Sequence, residues 1–249
     1  MTVEIIKGSK RISYAARRLG ASGLAYKSIL LLPIPTTKDG INVNGTDISL
    51  DSLTVGIDSS CAVAGYGIPA AFCERIRALG GEVYDALYDE SFQQKNAELT
   101  ALGALGELLS ASGKSPADSK FGIIGYGRIG KILSRILLFL GARTVIFTSN
   151  EKTRLELCGV GMEADMSENA GKYRDLDILI NTAPAMLLAK EDAEAMAMCG
   201  CKLVELASGE ALPDVDGKIK LPAVPDRMYP VSAARIYAKA IIKAMEQRR

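Results

Sequence analysis

The sequence predicts an α/β protein: a doubly wound parallel sheet beside a smaller α/β unit that the last helix completes. Three observations predict it. The first is the stretch Phe121-Gly-Ile-Ile-Gly-Tyr-Gly-Arg-Ile-Gly130, a short apolar run entering glycines spaced G-x-G-x-x-G. The second is the helical spacing that follows at once, Ile129, Ile132, Leu133, Ile136, Leu137 and Leu140, closed by Gly141. The third is the alternation of strand-like and helix-like segments from there to about residue 224. Strand, glycine turn and helix in this order form a dinucleotide-binding unit of the Rossmann type. Gly125 permits the tight turn, Gly127 lets backbone approach a pyrophosphate, and Gly130 lets the helix pack close on its strand. The free N–H groups of the helix N-terminus then face the phosphates.

In chain order, Val3–Ile6 reads as a strand. Ile12, Ala15, Ala16 and Leu19 share one helix face that stops at Gly20. Ser28–Leu32 is a buried strand. Asn44-Gly45 between Ile41–Val43 and Thr46–Leu50 predicts a hairpin. Leu53–Ile57 reads as a further strand, followed by a polar turn at Asp58-Ser-Ser60 and a glycine-rich stretch to Gly67. A helix over 70–79 and a short strand at 82–84 complete this part. Asn96–Ala111 predicts a helix whose Ala and Gly content suits close packing between two domains. Ser112–Ser119 has the composition of a boundary loop. Strands are then expected at 144–148, near 162, at 177–181, 202–206 and 219–221. Helices are expected through Leu155 and Leu157, near 168–173, and at 190–198. An amphipathic helix over 231–245 is expected to return to the first domain. The predicted division is a substrate-side, flavodoxin-like α/β domain (1–95 with 231–249) and a dinucleotide-binding domain (96–230).

Composition narrows the chemistry. Of 249 residues, 48% are apolar and 24% charged, and the formal net charge is +1, so no global field recruits nucleic acid or anionic membrane. No apolar run approaches the roughly 20 residues that span a bilayer, and the N-terminus lacks the pattern of a secretory signal. A cytoplasmic location is the default expectation. The five cysteines are scattered, and Cys199-x-Cys201 is too tight for a zinc knuckle, so buried free thiols and no metal are expected. The chain has no histidine. That removes histidine bases, serine triads and histidine metal ligands, and leaves Asp, Glu, Lys, Tyr, Cys or water to move protons.

Ligands in open parallel sheets bind beyond the carboxyl ends of strands. Four loops qualify in this reading: Pro35–Lys38, Asp58–Ser60, Asn181–Pro184 and Ala207–Gly209. The cofactor set is Gly125, Tyr126, Gly127, Arg128, Ile129 and Gly130 at the turn, with Thr182, Ala183 and Pro184 beside the nicotinamide half. At the end of the second strand, enzymes using NAD usually carry an acid, about 20 residues beyond the fingerprint. Here stand Thr148, Ser149 and Asn150, with Glu151 just beyond and Lys152 and Arg154 close by. Hydroxyls plus cations accept a 2′-phosphate, which favours NADP, with NAD the alternative. Glu98 is either a proton acceptor or a first-turn acid favoured by the helix dipole.

Several ordered segments resemble the A-type chain of bacterial dipicolinate synthase. They are Leu32-Pro-Ile-Pro-Thr-Thr37, Asn96–Ala101, the Gly125–Gly130 fingerprint, Ile180-Asn-Thr-Ala-Pro-Ala-Met186, Leu206-Ala-Ser-Gly209, Leu221–Asp226 and Tyr229–Ala234. More distantly, the nucleotide domain is similar to that of D-2-hydroxyacid dehydrogenases. The resemblance implies NADP-linked oxidation of dihydrodipicolinate to dipicolinate, the calcium chelator of the spore core, and hence a role in sporulation. It also implies a small flavoprotein-like partner, the B-type chain of the same synthase, and a homo-oligomer is expected. For the dicarboxylate substrate the candidates are Thr36, Thr37, Lys38, Ser59, Ser60 and Ser208, with Arg227 and Arg235 further out. Lys38 and Glu98 are the candidates for catalysis. Two other readings are a D-2-hydroxyacid dehydrogenase-like enzyme, disfavoured by the missing histidine, and a non-catalytic chain that binds NAD(P) without turnover.

Overall fold

The structure is a computed structural model that describes every residue except Ser208, Glu210, Arg248 and Arg249. It divides into two compact units, residues 1–96 with 225–249 and residues 97–224. The α-helix that carries the chain from the first to the second, Glu90–Ser112, starts six residues before the expected Asn96. The loop 112–119 lies inside the second unit.

The first unit is built on a four-stranded parallel sheet: β1 (Thr2–Ile5), β2 (Ser28–Leu31), β3 (Cys61–Gly65) and β4 (Glu82–Asp85), adjacent in chain order. Side chains of a strand alternate between faces. Ile29 and Leu31 therefore join Ala62 and Ala64 in one core, under α1 (Lys10–Gly20) and the C-terminal helix, which we label α8 (Pro230–Glu246). Leu30 and Leu32 join Val63 and Val83 in the other, with Phe72 and Ile76 of α2 (Ala70–Ala78). Ser9 caps α1 by accepting from the Ile12 N–H.

Two strand expectations in this unit are corrected. Leu53–Ile57 is not a strand: Leu50–Thr54 forms a 3₁₀ turn capped by Ser49, and Val55 is 86% exposed. The central strand is Cys61–Gly65, whose five residues are all buried. Its small residues have the composition of a turn, yet they let helices sit close on both faces of the sheet. The Asn44-Gly45 turn forms with Gly45 at φ 73°, but its arms meet at the single bridge Asn42–Ser49 rather than as a paired hairpin.

The second unit carries a six-stranded parallel sheet. Its strands are β5 (Lys120–Ile124), β6 (Arg143–Thr148), β7 (Glu163–Met166), β8 (Ile178–Asn181), β9 (Lys202–Glu205) and β10 (Ile219–Lys220). Their order is β10-β9-β8-β5-β6-β7, the doubly wound arrangement, with its reversal between β5 and β8. One face packs Phe121, Ile123, Ile178, Ile180 and Val204 against the Glu90–Ser112 helix, our α3, and α4 (Arg128–Phe139). The other packs Ile124, Val145, Phe147, Leu179 and Leu203 against α6 (Lys190–Met198), while α5 (Glu151–Gly159) links β6 to β7. A short helix, α7 (Val224–Met228), has no counterpart in the sequence reading. The expected helix near 168–173 is a 3₁₀ segment, Ser167–Lys172. All five cysteines are free. Cys61, Cys73 and Cys201 are buried as expected, but Cys158 and Cys199 are exposed because they fall at the outer ends of α5 and α6. No described helix is long and apolar enough to cross a membrane.

Candidate functional site: the glycine turn and its neighbours

The turn from β5 into α4 is fixed by its glycines. Gly125 has φ 95°, and its N–H donates to the Phe147 carbonyl at 2.8 Å. A Cβ on Gly130 would overlap the Gly125 carbonyl oxygen, so only glycine lets the helix lie against the turn. A Cβ on Gly127 would meet nothing within 4 Å, which leaves the backbone open to an approaching group. Gly127 is also the N-cap of α4 and offers no side-chain hydrogen bond, and no acid stands in the first turn. Neither the N-cap nor the first turn therefore sets a negative side chain of its own against the partial positive charge of the α4 N-terminus, the end of a helix that favours anions. This is the geometry that a dinucleotide diphosphate requires.

The neighbouring strand ends are locked to this turn. The Thr182 hydroxyl donates to the carbonyls of Ile124 at 2.9 Å and Gly125 at 3.2 Å. Asn181 closes an Asx turn by accepting from the Ala183 N–H, and its amide donates to the buried carboxylate of Glu205 at 2.9 Å. Glu205 also accepts from the N–H groups of Ala207, Ala211 and Leu212. Both residues fall at or beside expected strand ends, but their pairing joins segments 24 positions apart and neither segment announces it. The signal available in sequence is an acid ending an apolar strand, Lys202-Leu-Val-Glu205, where a buried charge demands partners.

On the other side of the turn lies a cavity of about 460 Å³ lined by Ser149, Met166, Ser167, Glu168 and Met186–Ala189. It sits past the carboxyl ends of β6 and β7, where the adenosine end of a dinucleotide belongs in this fold. Ser149 alone of the candidates at that strand end lines it. Thr148 accepts from the Asn150 N–H, and Asn150 caps α5 by accepting from the Thr153 N–H. Arg154 is held by both oxygens of Glu151, at 2.6 and 2.8 Å, and this bond keeps the Glu151 carboxyl below the usual carboxylate range. Lys152 is 85% exposed and stands 3.9 Å from Glu156.

The substrate candidates fall in different places. Thr36 is buried, and its hydroxyl accepts from the Tyr66 N–H, so it ties two loops of the first unit together. Thr37 bonds Asp39 and receives the Gly40 N–H, while Lys38 is exposed. Ser59 and Ser60 precede β3 instead of following a strand. Ser60 is bonded to Asp58, and its carbonyl accepts from Lys27 at the start of β2. They thus lie at the amino end of the sheet, opposite residues 36–38. The cause is the displaced strand: with 61–65 as β3, the Asp58–Ser60 loop changes ends. Ser208 lies outside the described residues. Glu98 is exposed and sits two turns inside α3, so the first-turn expectation is corrected. Arg227 lies in α7 and Arg235 in α8. Among the described residues no group of three or more Cys, Asp or Glu could hold a metal ion.

The fold and the turn define the class: a two-unit α/β chain whose second unit is a doubly wound sheet of the Rossmann type. No family model and no curated protein matches the sequence. Solved structures do match. The A-type chain of dipicolinate synthase from Bacillus subtilis superposes with a TM-score of 0.79 at 16% identity, over 99% of this chain and 97% of that one. Its counterpart from Bacillus halodurans, also a dipicolinate synthase chain of the A type, gives 0.76 at 19% identity, over 98% and 97%. The NAD-complexed D-isomer specific 2-hydroxyacid dehydrogenase from Lactobacillus delbrueckii ssp. bulgaricus gives 0.57 at 11%, over 99% and 96%. At identities this low the superpositions establish the shared fold alone.

Proposed function

We propose that the protein is an NAD(P)-linked oxidoreductase similar to the A-type chain of dipicolinate synthase, oxidising dihydrodipicolinate to dipicolinate. The observation that carries the reading is the α4 N-terminus, with no side-chain cap, no acid in its first turn and open space over Gly127. The backbone of Gly127–Gly130 would hold the diphosphate, the cavity beside Ser149 the adenosine end, and Thr182–Pro184 the nicotinamide end. The bound nicotinamide would supply the hydride acceptor. On the substrate side, the dihydropyridine ring gives up a hydride and a proton and becomes aromatic. Aromatisation supplies driving force, and water can take the proton, which suits a chain with no histidine. The preference for NADP over NAD rests on Ser149 and on Lys152, since Arg154 is engaged by Glu151. The first unit is assigned the substrate, and a flavoprotein-like B-type partner and self-association belong to the same reading.

Titration with NADPH and NADH, then assay with dihydrodipicolinate with and without a candidate B-type partner, tests it. Growth of absorbance at 340 nm supports the reading. Failure to bind either nucleotide defeats it. Tight binding without turnover in both assays would leave the alternative of a non-catalytic nucleotide-binding protein.

A further inference from the structure

Arg11 is the second residue of α1, which opens just past the carboxyl end of β1. It is only 2% exposed. Its guanidinium carbon lies 5.3 Å from the centre of the Phe92 ring and 5.6 Å from that of Tyr237. Those two rings pack on each other at 5.4 Å. Neither Nε nor Nη2 of Arg11 has a hydrogen-bond partner, and neither has the buried Tyr237 hydroxyl. Among the described residues Arg11 makes no ion pair. The acid that faces it is Asp226, which receives a long 3.5 Å bond from the Ser9 hydroxyl. Burial, the larger influence, pushes the Asp226 carboxyl above the usual range in spite of Arg11.

Buried guanidinium groups are ordinarily paired, because removal of the charge from water is strongly unfavourable. Here Nε, Nη2 and the phenol together present four N–H and O–H bonds and no acceptor within reach. One water molecule accepts two such bonds. A carboxylate accepts about four, and its planar pair of oxygens matches the Nε/Nη2 edge of a guanidinium.

We propose that Arg11, together with the Tyr237 hydroxyl, is the receptor for a carboxylate group of a small ligand within the first unit. The inference deepens the reading given above by naming the groups that hold the substrate's acid. Every residue it uses belongs to residues 1–96 and 225–249. The guest carboxylate takes the place of counter-ion that Asp226 fills incompletely, and aromatic rings flank it on the side of Phe92 and Tyr237.

The test is calorimetric titration of the full chain, without nucleotide, using pyridine-2,6-dicarboxylate as the probe. Relative to the wild type, Arg11→Gln is expected to weaken binding at least about 30-fold. Arg11→Lys, which keeps the charge but loses the fork, should weaken it about 10-fold, and Tyr237→Phe about fivefold. The thermal unfolding midpoint and near-ultraviolet circular dichroism of the same variants report whether the first unit still folds. Absence of binding to the wild type, an unchanged affinity in folded Arg11→Gln or Arg11→Lys, or a crystal showing ordered water alone on Arg11 would overturn the proposal. A wild-type chain that binds the probe but neither nucleotide would sink the dehydrogenase reading and leave this one standing.

Discussion

Asn181 and Glu205 close the ends of two adjacent strands with a buried 2.9 Å hydrogen bond from amide to carboxylate. The same carboxylate accepts three backbone N–H groups from residues 207–212, so one side chain ties β8, β9 and the following loop together. Both Glu205 oxygens face donors. In Glu205→Gln either amide orientation turns an NH₂ towards an N–H, and Glu205→Ala leaves the donors unmet. We expect a loss of about 1–3 kcal/mol for Glu205→Gln and about 2–4 kcal/mol for Glu205→Ala, read from urea midpoints at constant m. An unchanged midpoint would show that the loop finds other acceptors.

The glycine turn separates folding from binding. Gly130→Ala forces a Cβ into the Gly125 carbonyl and is expected to destabilise the second unit as well as abolish nucleotide binding. Gly127→Ala meets no protein atom, so only the N-cap preference for Gly over Ala, about 1 kcal/mol or less, should lower its thermal midpoint. Its nucleotide affinity should nevertheless fall roughly 10-fold or more, because the added methyl occupies the approach to the backbone. Wild-type affinity in Gly127→Ala would place the diphosphate elsewhere.

Glu151 restrains one of the two cations in the first turn and a half of α5. It holds Arg154 through two bonds within α5. Glu151→Gln releases the guanidinium and is predicted to shift the ratio of NADPH to NADH affinity several-fold towards NADPH. Arg154→Ala in the wild-type background should change that ratio little. Competitive titration with both nucleotides reads the difference, and equal ratios in all three proteins would refute the assignment.

Acid stability follows from Asp177. Burial alone would raise its carboxyl, but the Lys114 ammonium at 2.6 Å and the Lys120 N–H outweigh burial and hold it below the usual range. A depressed folded pKa means that the stabilisation is fully present above the unfolded value, about 3.9, and is lost as pH falls through the folded one. Unfolding free energy should therefore decline below about pH 4, and less steeply in Asp177→Asn. Parallel declines in the two proteins would show that other carboxylates set the slope.

How much can be read in advance depends on the range of the forces involved. The fingerprint strand, turn and helix are legible because each glycine answers a local demand, a positive φ at 125 or a close approach at 130. The α1 face through Ile12, Ala15 and Leu19 is legible from its 3.6-residue spacing. The second unit's elements follow from the same periodicities. The central strand of the first unit escapes a local reading because Cys61-Ala-Val-Ala-Gly65 owes its conformation to pairing with β2 and β4. Leu53–Ile57 alternates as a strand does, yet no sheet edge receives it. That error also puts Ser59 and Ser60 at the wrong end of the sheet.

The sequence alone determined the doubly wound topology, the glycine turn and the lack of histidine chemistry, because these rest on residue type and on neighbours a few positions away. Tertiary structure decided which polar side chains are sealed and which are open. Arg11 meets Tyr237 across 226 positions of chain, and Asn181 meets Glu205 across 24. Burial and pairing of a charge depend on what the folded chain brings against it, and no local pattern carries that information.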